Sequence, residues 1–258
     1  MLLAIDVGNT QTVIGMFARD RGQEELLHHW RISSNAERTS DEMAMLVSQL
    51  LDLQGFDIDR TVTGIAVASV VPRVTAALRE MSERWFPVPT VIVEPGIKTG
   101  MPILYEDPKE VGADRIADAV AAFARYGGPT IVIDFGTATT FEAISTKGEY
   151  LGGAIIPGVE ISLDALFARA AALRRVELVP PRSVIGKSTN ESVQAGTVYG
   201  IAAQVEGLCR RFEDELGECT VVATGGLAQL IAPLTPAIQH HEPWLTLHGL
   251  RLIFERNA

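Results

Sequence analysis

Cysteine is nearly missing: Cys209 and Cys219 are the two in 258 residues, and they form no CxxC pair. That excludes a disulfide framework and a thiolate zinc site, and it points to a reducing compartment. Basic residues are also short. The 22 Lys and Arg against 32 Asp and Glu leave a net charge of −10, which argues against nucleic acid or an anionic membrane as the main partner. The pairs Arg174-Arg175 and Arg210-Arg211 are too short to reverse this. No uninterrupted apolar run approaches the roughly 18 residues of a membrane span. The opening has no basic stretch and sets Asp6 inside its apolar run, so no leader is read and a cytoplasmic, soluble protein is expected. No GxGxxG follows a strand, which excludes a dinucleotide fingerprint. Gly186-Lys187-Ser188 lacks the glycine that a Walker loop requires at 181, where Pro181 stands.

What is present is a phrase written twice. Ile5-Asp6-Val7-Gly8-Asn9-Thr10-Gln11-Thr12 recurs half a chain later as Ile133-Asp134-Phe135-Gly136-Thr137-Ala138-Thr139-Thr140. Each copy follows an apolar run, so each reads as a buried strand ending in a carboxylate, a glycine turn and hydroxyls. Such a strand brings an acid and backbone N–H groups to one point, as a phosphate with its metal ion needs. One copy alone is equally a hairpin turn whose aspartate bonds backbone N–H groups. The repetition favours two phosphate-facing hairpins across one cleft. With 47% hydrophobic residues the chain can build a real core.

Around the two copies, strands alternate with helices, which implies an α/β fold. The hairpin over residues 2–17 and a strand over 28–33 precede a helix opened by a Thr39/Glu42 capping box, with Met43, Leu46, Val47 and Leu50 as its apolar stripe. A strand over 65–71, a helix over 73–85 and a strand over 90–93 follow. Residues 94–111, rich in Gly and Pro and holding Tyr105, read as a functional loop. The next helix is expected over about 110–125, with Ile116, Val120 and Phe123 inward. Asp114, roughly 200° round that helix from Ile116, faces away from its core. On its own it reads as a solvated carboxylate paired with a nearby base.

A boundary is expected near residue 127, giving halves 1–127 and 128–258. The second half repeats the plan with a helix carrying Leu163, Leu166, Phe167 and Ala170. A Ser188/Glu191 capping box then opens a long helix to about Phe212 with Val198, Ile201, Val205 and Leu208 buried. Gly196 and Gly200 on it would allow close helix approach, for instance across a dimer interface. A last strand is read over 220–224. The pairs His28-His29 and His240-His241 are adjacent rather than four apart, so they read as surface histidines and not metal ligands.

The duplicated units resemble the acetate and sugar kinase, heat-shock 70 and actin superfamily. That resemblance implies two duplicated ribonuclease-H-like, actin-like ATPase domains with ATP in the cleft between them. More closely, the chain resembles the type III pantothenate kinases over nearly its full length. It does so through the Asp6 and Asp134 phrases, Gly100 with Tyr105, Gly112-Ala113-Asp114-Arg115, Gly152-Gly153 with Pro157-Gly158, Gly186-Lys187-Ser188-Thr189 and Thr224-Gly225-Gly226. Each motif is weak alone, and the ordered set is specific.

The resemblance implies that Asp6, Val7, Gly8, Asn9, Thr10, Gln11, Thr12 and Val13 form the first phosphate loop, with Asp6 holding magnesium on ATP. Thr137 would contact ATP from the second loop, and Asp134 would ligate a monovalent cation, K⁺ or NH₄⁺. Tyr105, Gly112, Ala113, Asp114, Arg115 and Thr189 would bind pantothenate, Asp114 being the proton acceptor. Glu142 stands where many relatives have aspartate. A homodimer is implied, with no nucleic acid or membrane partner. The expected activity is phosphorylation of pantothenate to 4′-phosphopantothenate, the first committed step towards coenzyme A. The alternatives are another small-molecule kinase of the superfamily and a regulatory protein of this fold that binds nucleotide without turnover.

Overall fold

The computed structural model describes residues 1–18, 25–56 and 61–258. They divide by packing into two compact units: residues 1–121 with 245–258, and residues 122–244. The sequence had suggested one cut near 127 with everything after it in the second half. The packing instead groups 245–258 with the first sheet.

The first unit holds β1 (Leu2–Val7), β2 (Gln11–Phe17), β3 (Leu26–Ser33), β4 (Gly64–Ser69) and β5 (Thr90–Ile92), ordered β3-β2-β1-β4-β5. β1 to β3 are antiparallel neighbours, while β4 and β5 run parallel to β1. One face is covered by α1 (Ser40–Asp52) and α2 (Pro72–Arg84). There Leu3, Ile5, Ile14 and Met16 meet Met43, Val47, Leu51, Val74, Leu78 and Met81, all buried. Each such side chain contributes about 1.5–3 kcal/mol on leaving water. The Thr39/Glu42 capping box forms in full. The stripe of α1 turns slightly from the expected one: Ala44 and Leu51 are buried, whereas Leu46 and Leu50 are half-buried.

The opposite face of this sheet carries small residues, Ala4, Gly15, Gly64 and Ala66, and receives the helix Leu245–Glu255 (called α7 below). A methyl at Gly15 would stand 2.6 Å from the Leu247 side chain, and one at Gly64 would stand 2.3 Å from the Phe254 ring. Absence of side chains is what lets α7 lie flat on the strands. The helix α3 (Ala113–Tyr126) carries the unit's remaining site residues and starts three residues later than expected. The stretch before it is a short 3₁₀ turn at Pro108–Glu110 capped by Asp107. Ile116 and Val120 are buried as read, but Phe123 is only half-buried.

The second unit repeats the sheet. β6 (Thr130–Phe135), β7 (Ala138–Ile144), β8 (Tyr150–Pro157), β9 (Thr220–Gly225) and β10 (His240–His241) are ordered β10-β9-β6-β7-β8. The antiparallel and parallel pairings match those of the first unit strand for strand. The two-residue β10 follows the strand expected to be last. Its helices are α4 (Val159–Arg169), α5 (Thr189–Leu216) and α6 (Ala228–Ile231). Val198, Ile201 and Val205 are buried as expected. Cys209, not Leu208, takes the next buried position. Leu166 of α4 is 41% exposed. Among the described residues no helix is long and apolar enough to cross a membrane.

Candidate active site

Both copies of the repeated phrase lie where a parallel-paired strand ends and a hairpin turns back, the usual ligand end of such sheets. In the first unit, Asp6 sits one residue before the end of β1, opposite Val13 on β2 and Ala68 on β4. Val7 is buried in the core, and Thr12 is 1% exposed. Of the eight loop residues only Asn9, Thr10 and Gln11 are exposed, so Val7 and Thr12 can serve a ligand through their backbone alone.

A residue not singled out in the sequence braces this loop. Ser34, just past β3, donates its hydroxyl to Gly8 O at 2.6 Å, bonds Thr12 Oγ1 at 2.8 Å, and gives its backbone N–H to Thr10 O at 3.0 Å. No local pattern marks it; only the β2–β3 register brings it there.

The second copy is built differently. Asp134 faces Thr140 on β7 and Thr224 on β9, so two hydroxyl-bearing residues replace the valine and alanine that flank Asp6. Glycines surround the carboxylate: a methyl at Gly225 would stand 2.3 Å from Oδ1, and one at Gly136 would stand 3.3 Å from Oδ2. Gly225 also has φ +89°, a left-handed conformation that disfavours any side chain. The Asp134 carboxylate therefore packs directly against these glycines, with two hydroxyl-bearing residues as its strand partners.

Gly158 is the counterpart of Ser34, just past β8. It gives its N–H to Thr137 O at 3.2 Å, and a methyl on it would stand 2.2 Å from that same oxygen. Having no side chain, it offers nothing to Thr139, the register equivalent of Thr12, and Thr139 Oγ1 is buried without a hydrogen-bond partner. Glu142, two residues along β7 on the Asp134 face, is fully buried and accepts a short hydrogen bond from Tyr150.

Asp114 opens α3. Its Oδ1 accepts the Arg115 backbone N–H at 2.8 Å, and a methyl at Gly112 would stand 2.4 Å from the same atom. Gly112 thus leaves room for the carboxylate two residues on. An acid in this first turn also complements the helix dipole. Asp114 and Arg115 are half-buried and Ala113 is buried. Tyr105, half-buried, belongs to the same unit. Thr189 belongs to the other: it is exposed at the start of α5 and borders a shallow surface cavity of about 440 Å³ with Leu166, Leu173, Val193 and Thr197. Among the described residues no three His, Cys, Asp or Glu side chains converge as a metal site.

The profile of the family described as type III pantothenate kinase matches residues 2–211. The chain belongs to the type III pantothenate kinase family. It is 54% identical to the type III pantothenate kinase of Streptomyces griseus, all of this chain aligning with 99% of that one. It is 54% identical to the Moorella thermoacetica protein of the same name over the whole of both chains. Among solved structures, a Baf family protein of Campylobacter jejuni superposes with a TM-score of 0.61 at 19% identity, covering 99% of this chain and 98% of that one. The ADPNP-bound activator of 2-hydroxyisocaproyl-CoA dehydratase from Clostridium difficile gives 0.52 at 12%, covering 99% and 94%. At such identities the structures speak for the fold alone, the duplicated actin-like ATPase and sugar kinase fold expected from the repeated phrase.

Proposed function

We propose that this chain transfers the γ-phosphoryl group of ATP to the primary hydroxyl of pantothenate, giving 4′-phosphopantothenate. Full-length identity of 54% to proteins named for that activity carries the reading. Phosphoryl transfer asks a protein mainly for positioning and charge neutralisation. Asp114, fixed against Gly112 and the Arg115 N–H, would accept the hydroxyl proton as the oxygen attacks. Arg115 presents a planar fork suited to a carboxylate or phosphate. Tyr105, Gly112 and Ala113 would complete the pantothenate contacts, with Thr189.

Asp6 would hold magnesium and Asp134 the monovalent cation, with Thr137 touching the nucleotide. The two cations, when bound, offset the charge gathered on the phosphates. Support for the cation role of Asp134 is its pairing with two hydroxyl-bearing residues, Thr140 and Thr224, and the glycines packed against its carboxylate. A homodimer would draw on apolar side chains exposed on the second unit, Ile155 at 61%, Val184 at 68% and Ile185 at 70%. The setting is the cytoplasm, consistent with two unpaired, buried thiols.

The test is purified protein with pantothenate, ATP and magnesium, in potassium and then in sodium buffer. Product is expected in potassium and much less in sodium. No phosphopantothenate in either buffer overturns the kinase reading, and equal rates remove the cation role of Asp134.

A further inference from the structure

The helix α7 lies beyond the matched residues 2–211, yet it ends against the loop over 94–111. There the Asn257 side chain grips Lys98 on both backbone groups. Its Nδ2 donates to Lys98 O at 2.9 Å, while its Oδ1 accepts from Lys98 N at 3.2 Å. The same Nδ2 donates to Ile253 O at 2.8 Å, so the amide is tied to α7 and to the loop at once. Its backbone N–H bonds Phe254 O at 3.0 Å, closing the last helical turn beneath it.

Two residues along the loop, Gly100 has φ +77°, and a methyl on it would stand 2.1 Å from the Arg256 guanidinium. Gly100 is thus glycine both for its backbone and for the side chain lying on it. α7 is itself keyed to the sheet and to α3. A methyl at Gly249 would stand 1.9 Å from Ala117 O, three residues from Asp114, and Phe254 and Leu247 fill the spaces at Gly64 and Gly15. The segment 245–257, α7 and the two residues after it, therefore touches the sheet bearing Asp6, the helix bearing Asp114 and the loop bearing Tyr105.

We infer that Asn257 is a positioning residue for pantothenate: with Arg256 it fixes the loop over 94–111 in its substrate-ready form before substrate arrives. The inference rests on the reading of that loop as a pantothenate contact. Other contacts brace the loop as well. Thr99 Oγ1 bonds both Met101 N and Met101 O, Arg79 bonds Glu94 at its start, and Asp107 caps the turn at its end. The Lys98 clamp adds a tie from 159 positions away in the chain.

The experiment compares Asn257→Ala and the isosteric Asn257→Asp with the unaltered protein. Asp keeps the acceptor for Lys98 N but loses both donor bonds, so it separates loss of the clamp from loss of the side chain. Both variants should show faster amide hydrogen exchange over 98–105. Both should raise KM for pantothenate by about tenfold, as expected for roughly one net hydrogen bond lost from loop ordering. KM for ATP, kcat and the melting temperature should hold near their starting values. Unchanged exchange in both variants overturns the clamp. Equal rises in KM for ATP and pantothenate overturn its specificity, reducing Asn257 to a general stabiliser. Faster exchange with unchanged KM for pantothenate overturns the positioning role, and the assignment of the loop to pantothenate fails while the clamp itself stands.

Discussion

At the scale of single residues, burial and one-atom contacts set the chemistry. Asp114→Asn keeps shape and the Arg115 N–H bond but removes the proton acceptor. A fall in kcat of roughly 10²-fold with ATP binding largely retained is expected, read by steady-state kinetics and nucleotide titration. Near-normal turnover would return Asp114 to a solvated carboxylate. The two thiols show the opposite role for burial. Cys209 is pushed up to about 12, first by loss of water and then by the charge of Glu213, and burial raises Cys219 as well. Because the thiolate is the nucleophile, neither should react with an aromatic disulfide reagent at pH 8 in the folded protein, and both should react on denaturation. Rapid labelling of the native state would disprove this.

At the scale of elements, the two hairpins descend from one plan and have diverged at their braces. The register places Asp6 opposite Val13 but Asp134 opposite Thr140, so the second turn is one residue tighter. Ser34 closes the first loop with its side chain, whereas Gly158 closes the second with its backbone and by fitting against Thr137 O. Gly158→Ala forces that carbonyl aside, and displacement of a positioning loop by about 1 Å can cost about 10²-fold. A loss of that order in kcat/KM for ATP, larger than any change for pantothenate, is expected from initial-rate measurements with each substrate varied. Equal losses for both substrates would place the effect in folding instead. Capping boxes, apolar stripes and strand alternation made nearly every element legible beforehand, since these are local patterns. The closing helix was not legible, because its face is defined by glycines far away in sequence, at Gly15 and Gly64.

At the scale of the whole molecule, pH and association are the useful probes. Tyr126 is raised from 10.0 to about 12, by burial first and then by its bond to Glu242. Its folded pKa lies above its unfolded one, so its contribution is complete below pH 10 and is lost as pH rises through about 12. Denaturant titrations across that window should therefore show a shallower loss of stability for Tyr126→Phe than for the unaltered protein, and parallel curves would contradict it. Sedimentation at micromolar concentration should give the mass of two chains, and Val184→Glu with Ile185→Glu should move it towards one. A single-chain mass for the unaltered protein would remove the dimer.

The sequence by itself determined the duplication, the α/β class, the two aspartates and the ordered motifs of the family, because each is written in a handful of consecutive residues. Only the tertiary structure decided how the copies differ, which residues brace them, and that the final helix serves the first sheet. Those are matters of register and contact between residues up to 159 positions apart, such as Asn257 and Lys98, and no local spacing encodes them.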